Sequence, residues 1–323
     1  MSTQPQIAVF YEHPEWFKPL FATLDRRGIS YVPLRLDEHF FDLGDRTPPA
    51  PVIFSRVAMS SFLRQDEHGI FYAQSLYSHW EQCGARIING NPALAVDTSK
   101  ARQLSLIDSL GYATPATRVV HRRADLPRAA QGLRFPIVVK VNIGGSGAGV
   151  VRYDSMEQLA QAVADGTTPT SIDSVLLVQE YIPTRGGRIV RAETLAGRFL
   201  YAISLTTDGG SFDLCPADAC LVGKPKITIE QTQIDAETIQ AVETLSRAAN
   251  MELCGIEFMI DDRDGTRRFY DINGLSNFVA NPMKVLGWDP HEQLADYLLE
   301  VIAARRRGEE AELREDRRHA RAP

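Results

Sequence analysis

The sequence predicts a mixed α/β and α+β protein: an open parallel α/β unit at the N-terminus, followed by a larger part built from hairpins and covering helices. Three observations carry this. The first 36 residues alternate strand, helix and strand, which is how an open parallel sheet begins. Further along, two apolar strand patterns, 135–142 and 174–182, bracket a glycine-rich stretch and a helix. Beyond them, two pairs of strand patterns are joined by short turns, the mark of antiparallel hairpins. A chain of 323 residues also exceeds one ordinary core and should hold two or three.

Ile7 to Phe10 is a short apolar run and the first strand. Glu15 to Arg27 reads as a helix with Phe17, Leu20, Phe21 and Leu24 on one face, and Gly28 stops it. Ser30 to Leu36 is the second strand. DRTPPAP (45–51) is a turn-rich break before the strand at 52–57, a helix at 71–83 and a short strand at 85–90. NPALAVDTSK then reads as a linker. Ser99 to Leu110 is helical, and 113–120 leads into a strand. FPIVVKVN (135–142) is a strongly β-branched strand that runs into IGGSGAGVVRY. A helix at 154–165 takes Asp154 or Ser155 as its N-cap. Arg188 to Leu195 and Arg198 to Leu205 flank Ala196-Gly197 as a hairpin. Ile234 to Ala249 is an amphipathic helix. Strands 254–261 and 267–274 flank the turn DRDG. His291 to Ala304 is the closing helix, and the charged stretch after it reads as a frayed tail.

Composition narrows the function. Lys plus Arg is 35 and Asp plus Glu is 41, a net charge of −6, which disfavours a nucleic-acid track. No apolar run reaches the roughly 18 residues of a membrane span, and the N-terminus lacks the basic and apolar regions of a secretion signal. The expectation is a cytoplasmic chain. Its four cysteines, Cys83, Cys215, Cys220 and Cys254, form no CxxC pair and read as reduced thiols rather than zinc ligands.

Three constellations bear chemistry. In the first, Gly144, Gly145, Gly147 and Gly149 surround Ser146 and follow Lys140. Small residues let backbone N–H groups approach phosphate oxygens, and the lysine adds charge. The spacing fits neither the P-loop nor the dinucleotide fingerprint, and a plain hairpin turn explains the loop equally well. In the second, Asp271 and Asn273 share a strand face by period two, with Glu257 within reach across a hairpin. Two carboxylates and an amide form a hard-oxygen set suited to Mg²⁺ (or Mn²⁺), and they sit in otherwise apolar strands where an unpartnered charge is costly. In the third, the strand VLLVQEYI ends in Glu180, Tyr181 and Ile182, which suits the edge of an adenine ring and a ribose.

In this order the pieces resemble the ATP-grasp superfamily, in the branch of RimK-like carboxylate–amine ligases (alpha-L-glutamate ligase-like). The resemblance covers about residues 95–303 and rests on TSK…LGYATPAT, FPIVVKVNIGGSGAGVV, VLLVQEYI, GIEFMID and FYDIN. It implies a pre-ATP-grasp domain (1–94), a central lobe with the glycine loop (95–178), a C-terminal lobe with the metal site (179–303) and a charged, disordered tail (304–323). It implies that ATP lies between the lobes, with Lys100 and Lys140 on its phosphates. The loop of Gly144, Gly145, Ser146, Gly147 and Gly149 would cover them. Glu180 and the backbone of Tyr181 and Ile182 would bind adenosine, and Glu257, Asp271 and Asn273 the metal. Arg191, on one strand face with Glu193, would steady the transferring phosphoryl group or the substrate carboxylate. The partners implied are a small-molecule or peptide carboxylate and an amine, with a homo-oligomer left open.

Two departures stand out. The second metal carboxylate is Asp271 where the family more often has Glu. The stretch ISLTTDGGSFDLCPADAC lacks the basic pair and asparagine that accompany the amino-acid substrate of RimK-type protein ligases. Ser276, Asn277 and His13 are further candidates for lining the cleft. Two other readings compete with ligation: a small-molecule kinase on the same fold, and a nucleotide-binding module without turnover. Intact Lys140, Glu257, Asp271 and Asn273 weigh against the second.

Overall fold

The computed structural model describes residues 5–64, 68–145, 147–207 and 227–319. The N-terminal unit is a parallel sheet of β1 (Ile7–Tyr11), β2 (Tyr31–Arg35), β3 (Val52–Arg56) and β4 (Arg86–Ile88), in the order β2-β1-β3-β4. Strand β1 is buried along its whole length because both sheet faces are covered. Period two assigns the faces. Ile7 and Val9 pack with Leu20 and Leu24 of α1 (Lys18–Arg26), whereas Ala8 and Phe10 pack with Ala73, Leu76 and Tyr77 of α2 (Gly69–Gln82).

The segment 91–97, expected as a linker, is helix α3 (Asn91–Asp97). Pro92 suits its first turn, and Ala93 and Leu94 are good helix formers that bury against neighbouring elements. Helix α4 (Lys100–Ser109) follows at once, its N-cap Ser99 accepting from the Arg102 N–H.

A second, antiparallel sheet has the order β5-β8-β6-β7, from β5 (Thr117–Val120), β6 (Ile137–Val141), β7 (Val150–Tyr153) and β8 (Leu176–Glu180). Ile137, Val139 and Val141 face Leu126 of α5 (Leu126–Ala130) and Leu159 of α6 (Met156–Ala164). Ser155 caps α6 by accepting from the Gln158 N–H. Strand β8 runs to Glu180, so a lobe boundary drawn between 178 and 179 cuts through a strand.

The third sheet, order β11-β10-β9-β12-β13, is antiparallel: β9 (Thr184–Leu195), β10 (Arg198–Thr207), β11 (Ile227–Thr232), β12 (Leu253–Asp261) and β13 (Arg267–Asn273). Helix α7 (Ala236–Ala248) covers one face through Ala241, Val242 and Leu245. After α8 (Pro282–Val285), helix α9 runs from Pro290 to His319. This corrects the expected end near Ala304 for residues 305–319, while residues 320–323 of the expected tail lie outside the described residues. The charged stretch is dominated by Arg, Glu, Ala and Leu, which lose little side-chain freedom in a helix.

One apolar cluster joins the first and third sheets. It holds Val9, Val52 and Phe54 of the N-terminal unit with Leu195, Ile203, Leu253 and Phe278, and Leu298 of α9. Asn89 reinforces the junction, donating to the carbonyls of Leu253 (2.7 Å) and Gly274 (2.6 Å) and accepting from the Glu252 N–H (2.9 Å). Among the described residues no helix is long and apolar enough to cross a membrane.

Candidate active site

A cleft of about 370 Å³ opens between the second and third sheets, with one wall from the N-terminal unit. Its chemistry follows from the faces that the core leaves over. On β6 the odd residues enter the core, so Val138 and Lys140 face the cleft. On β9 Ile189 and Arg191 face it, and on β12 Glu257 and Met259 do. Helix α4 brings Lys100 alongside. Asn142, just past β6, accepts from the Ser99 hydroxyl (3.1 Å) and the Ala101 N–H (2.9 Å), which anchors the start of α4 beside Lys140. Gln103 donates to the Ile272 carbonyl (2.9 Å) and accepts from its N–H (3.1 Å), docking α4 on the edge of β13.

Lys100, Lys140, Gly144, Gly145, Gly147, Glu180, Tyr181, Ile182, Arg191, Glu257, Asp271 and Asn273 all line this one cavity. Ser146 lies outside the described residues. Gly149 packs on Val141 behind the loop and does not line the cleft. The loop itself joins the antiparallel strands β6 and β7, so it is a hairpin connection as well as a cleft wall. A side chain at Gly145 would meet the Cβ of Ser60 at 3.1 Å, so glycine permits the loop to touch the N-terminal unit.

The acidic trio is brought together by the β12–β13 ladder, in which Glu257 and Asp271 are direct partners. Lys100 Nζ donates to Asp271 Oδ1 (2.6 Å), and Arg191 NH1 donates to Glu257 Oε1 (2.9 Å). Asn273 Nδ2 reaches Glu257 Oε1 at 3.4 Å. Two facing carboxylates and an amide, balanced by two cations, fit a hard divalent ion such as Mg²⁺. Burial pushes the pKa of Glu257 up. Burial acts the same way on Asp271, but the ammonium groups of Lys100 and Lys140 and the hydrogen bonds of Lys100 and Asn273 together hold that carboxyl below its usual value. Lys100 is pulled down by burial and raised on balance by Asp271. Lys140 is lowered to about 8, first by burial and then by the charge of Lys100.

Strict strand alternation would put Tyr270 on the face of Ile272, away from Asp271. Instead a bulge after Glu257 shifts the register, and Tyr270 turns into the cleft. Its hydroxyl donates to Glu257 Oε2 (2.8 Å). Strand alternation alone predicts the opposite face, and nothing in the local sequence announces the bulge.

Arg191 is buried, not part of a surface pair. Its Nε donates to Glu193 Oε1 (2.7 Å), and a side chain at Gly255 would lie 2.2 Å from its guanidinium. The guanidinium therefore rests flat on the β12 backbone, a placement only glycine leaves room for. Glu180 is already engaged: Oε1 accepts from the Arg134 N–H (2.9 Å) and Oε2 from Arg263 NH1 (3.2 Å). The Tyr181 N–H is likewise given to the Pro136 carbonyl (3.0 Å).

Of the further candidates, Asn277 lines the cleft, while Ser276 is buried and accepts from the Phe278 N–H. His13 stacks on Trp16 at 4.3 Å and accepts from the Glu15 N–H. Trp16, Met59 and Ser60 form the wall from the N-terminal unit, which motif reading did not single out. Cys254 is buried beside Thr194 and Cys83 caps the C-terminal end of α2, while Cys215 and Cys220 lie outside the described residues.

Residues 97–298 match the RimK-like ATP-grasp domain. Over 145 residues the chain is 30% identical to a probable alpha-L-glutamate ligase of Stutzerimonas stutzeri (strain A1501), covering 44% of this chain and 46% of that protein. The chain thus spans about half the length of the curated relatives it matches. Among solved structures it is similar to the ATP-grasp ligase PsnB, described in complex with a phosphomimetic variant of a minimal precursor, Mg and ADP. The TM-score is 0.66 at 16% identity, over 93% of this chain and 99% of that one. It is also similar to D-alanine–D-alanine ligase from Bacillus anthracis complexed with ATP, with a TM-score of 0.67 at 17% identity over 95% and 100% of the two chains. At such identities the likeness concerns the fold. With more than half of its length matched by that domain, the chain belongs to the RimK-like ATP-grasp family.

Proposed function

We propose that this protein is an ATP-dependent ligase that joins a carboxylate to an amine through an acyl phosphate, releasing ADP and phosphate. The observation that supports it best is one cleft lined by two lysines, a buried arginine, two facing carboxylates and a glycine loop. The reading is also supported by the names of the relatives, a glutamate ligase and a D-alanine–D-alanine ligase.

In this reading a substrate carboxylate oxygen bonds to the γ-phosphorus of ATP as the bond from that phosphorus to the β-bridging oxygen breaks, and ADP leaves. The amine then attacks the acyl carbon, loses a proton, and phosphate departs with the electron pair. Lys100 and Lys140 hold phosphate oxygens, and Arg191 holds the transferring group, since a guanidinium forks onto phosphate or carboxylate. Glu257, Asp271 and Asn273 would hold Mg²⁺, which when bound supplies charge neutralisation for the phosphates. The glycine loop, resting on Ser60, keeps water from the acyl phosphate. Lys140, buried and with a lowered pKa, regains its ordinary charge preference when phosphate arrives. The acid and amine are of small-molecule or peptide class, and the chain acts in the cytoplasm.

The test is interception of the intermediate. Supplied with acids and hydroxylamine in place of the amine, the enzyme should yield a hydroxamate and ADP, and Lys140→Met should abolish both while the chain stays folded. AMP as the nucleotide product, or a phosphorylated product inert to hydroxylamine, would point to adenylation or a kinase.

A further inference from the structure

We propose that Tyr270 is a positioning residue: its hydroxyl fixes the plane of the Glu257 carboxylate, so that Glu257 meets a divalent cation as a ligand already in place. The inference rests on the reading of Glu257, Asp271 and Asn273 as the metal set.

A regular strand turns consecutive side chains to opposite faces. In β13, however, Tyr270 and Asp271 both line the cleft, together with Asn273. The register explains it. Glu257 stands opposite Asp271 and Phe258 opposite Phe269, so Tyr270 is the extra residue of a bulge. A bulge interrupts the ladder, and here it aims one more side chain at the site. What that side chain meets is Glu257: the Tyr270 hydroxyl donates to Oε2 at 2.8 Å. The other oxygen has other partners. Arg191 NH1 donates to Oε1 at 2.9 Å, and Asn273 Nδ2 reaches the same atom at 3.4 Å. The last torsion of a glutamate is broad, so a carboxylate held at one oxygen still rocks about it. Held at both oxygens, the carboxylate of Glu257 keeps one plane.

A fixed plane matters to a metal ligand. Hydrogen bonds behind a ligating group orient it before the metal arrives, so less ordering is left for the binding step. Of the three donors on Glu257, Arg191 also serves the transferring phosphoryl group, and Asn273 is itself a member of the metal set. Tyr270 has neither duty, so its hydroxyl can stay on Glu257 when the site fills. The ring makes one further contact, lying 5.9 Å from Lys140 Nζ. Phenylalanine in its place would keep the ring beside Lys140 and remove the hydroxyl alone.

The experiment measures ADP binding to the full chain by calorimetry, once with millimolar Mg²⁺ and once with EDTA. The ratio of the two Kd values is the gain that the metal brings. In Tyr270→Phe that gain should shrink about tenfold or more, the order expected when a partner behind a metal ligand is removed. The Kd in EDTA should match that of the wild-type chain. An unchanged or larger gain overturns the proposal. So does an equal loss in EDTA, which would make Tyr270 a packing residue of the nucleotide site. Because Tyr270 acts through Glu257, the two substitutions should not add. Glu257→Gln and the double variant should show the same gain, and a further loss in the double variant overturns the proposal. Should Tyr270→Phe not fold because it strands Glu257 Oε2, the amide in the double variant relieves that charge, and its comparison with Glu257→Gln decides. If Mg²⁺ brings no gain in the wild-type chain, the metal reading falls and takes this proposal with it. A wild-type gain that survives intact in Tyr270→Phe leaves the metal reading standing and removes Tyr270 alone.

Discussion

At the scale of single residues, the site depends on small side chains as much as on charged ones. Gly255 carries the guanidinium of Arg191 on its backbone, and any side chain there would collide with it at 2.2–2.4 Å. The colliding atoms belong to the end of a flexible side chain, so the fold can absorb the change while the fork cannot. Gly255→Ala should leave the melting temperature within a few degrees of wild type. Turnover should drop by roughly 100-fold, the order expected from a displacement of about 1 Å at a reacting centre. Parallel melting curves and ADP-release assays check this; equal losses in stability and activity would show that Gly255 serves packing alone. The same residue-level logic separates Lys140 from an ordinary surface lysine. It is 7% exposed because β6 alternates its apolar residues into the core and leaves this one facing the cleft.

At the scale of elements, helix α9 links stability to pH. His291, in its first turn, is 4% exposed and packs edge-on against Phe278 at 5.1 Å, with Nδ1 bonded to Asp289 Oδ1 at 2.7 Å. Burial lowers its pKa below 6.5 despite the pull of Asp289. The folded chain therefore binds fewer protons at this ring than the unfolded chain. The stability it contributes is complete above about pH 6.5 and is lost as pH falls through the lower, folded value. Asp97, raised to about 7 by burial, acts in the opposite sense, so the net slope mixes the two. The His291 part is read from a difference. Between pH 7.5 and 5.5, His291→Gln should lose less stability in denaturant titrations than wild type does. Parallel curves for the two would remove His291 from the account.

At the scale of the whole molecule, the first and third sheets share one apolar cluster, and Asn89 bridges them. Removing residues 1–94 would expose that cluster, so the chain should melt as one unit and a chain lacking those residues should be insoluble. Calorimetry showing two well-separated transitions would contradict this. Nucleotide binding is the second test at this scale. Millimolar Mg-ATP should raise the melting temperature, since a ligand at 100 times its Kd adds about 2.7 kcal/mol to the folded state. Lys140→Met should remove most of the shift. Absence of any shift in the wild-type chain would count against the nucleotide reading.

The sequence by itself determined the elements and the cast of the site. Period-two alternation in IVVKV, GIEFMID and FYDIN, and the order of the glycine loop between two apolar strands, are short-range patterns that singled out Lys140, Glu257, Asp271 and Asn273; the resemblance to ATP-grasp ligases implied one cleft, which all four line. They are legible because hydrophobic periodicity acts over a few residues and a strand face is decided locally. What only the tertiary structure decided depends on contacts between distant segments. Tyr270 reaches Glu257 through a bulge that the β12–β13 pairing imposes, against its own alternation. Glu180 and the Tyr181 N–H, which look free in the sequence, are taken by Arg263, Arg134 and Pro136. Residues 91–97 become a helix once Ala93 and Leu94 find apolar neighbours. Arg56 at the end of β3 and Glu193 on β9, ordinary charges in the chain, are each buried by what packs over their strands. No local pattern carries that information, since burial of a charge is a property of what packs over it.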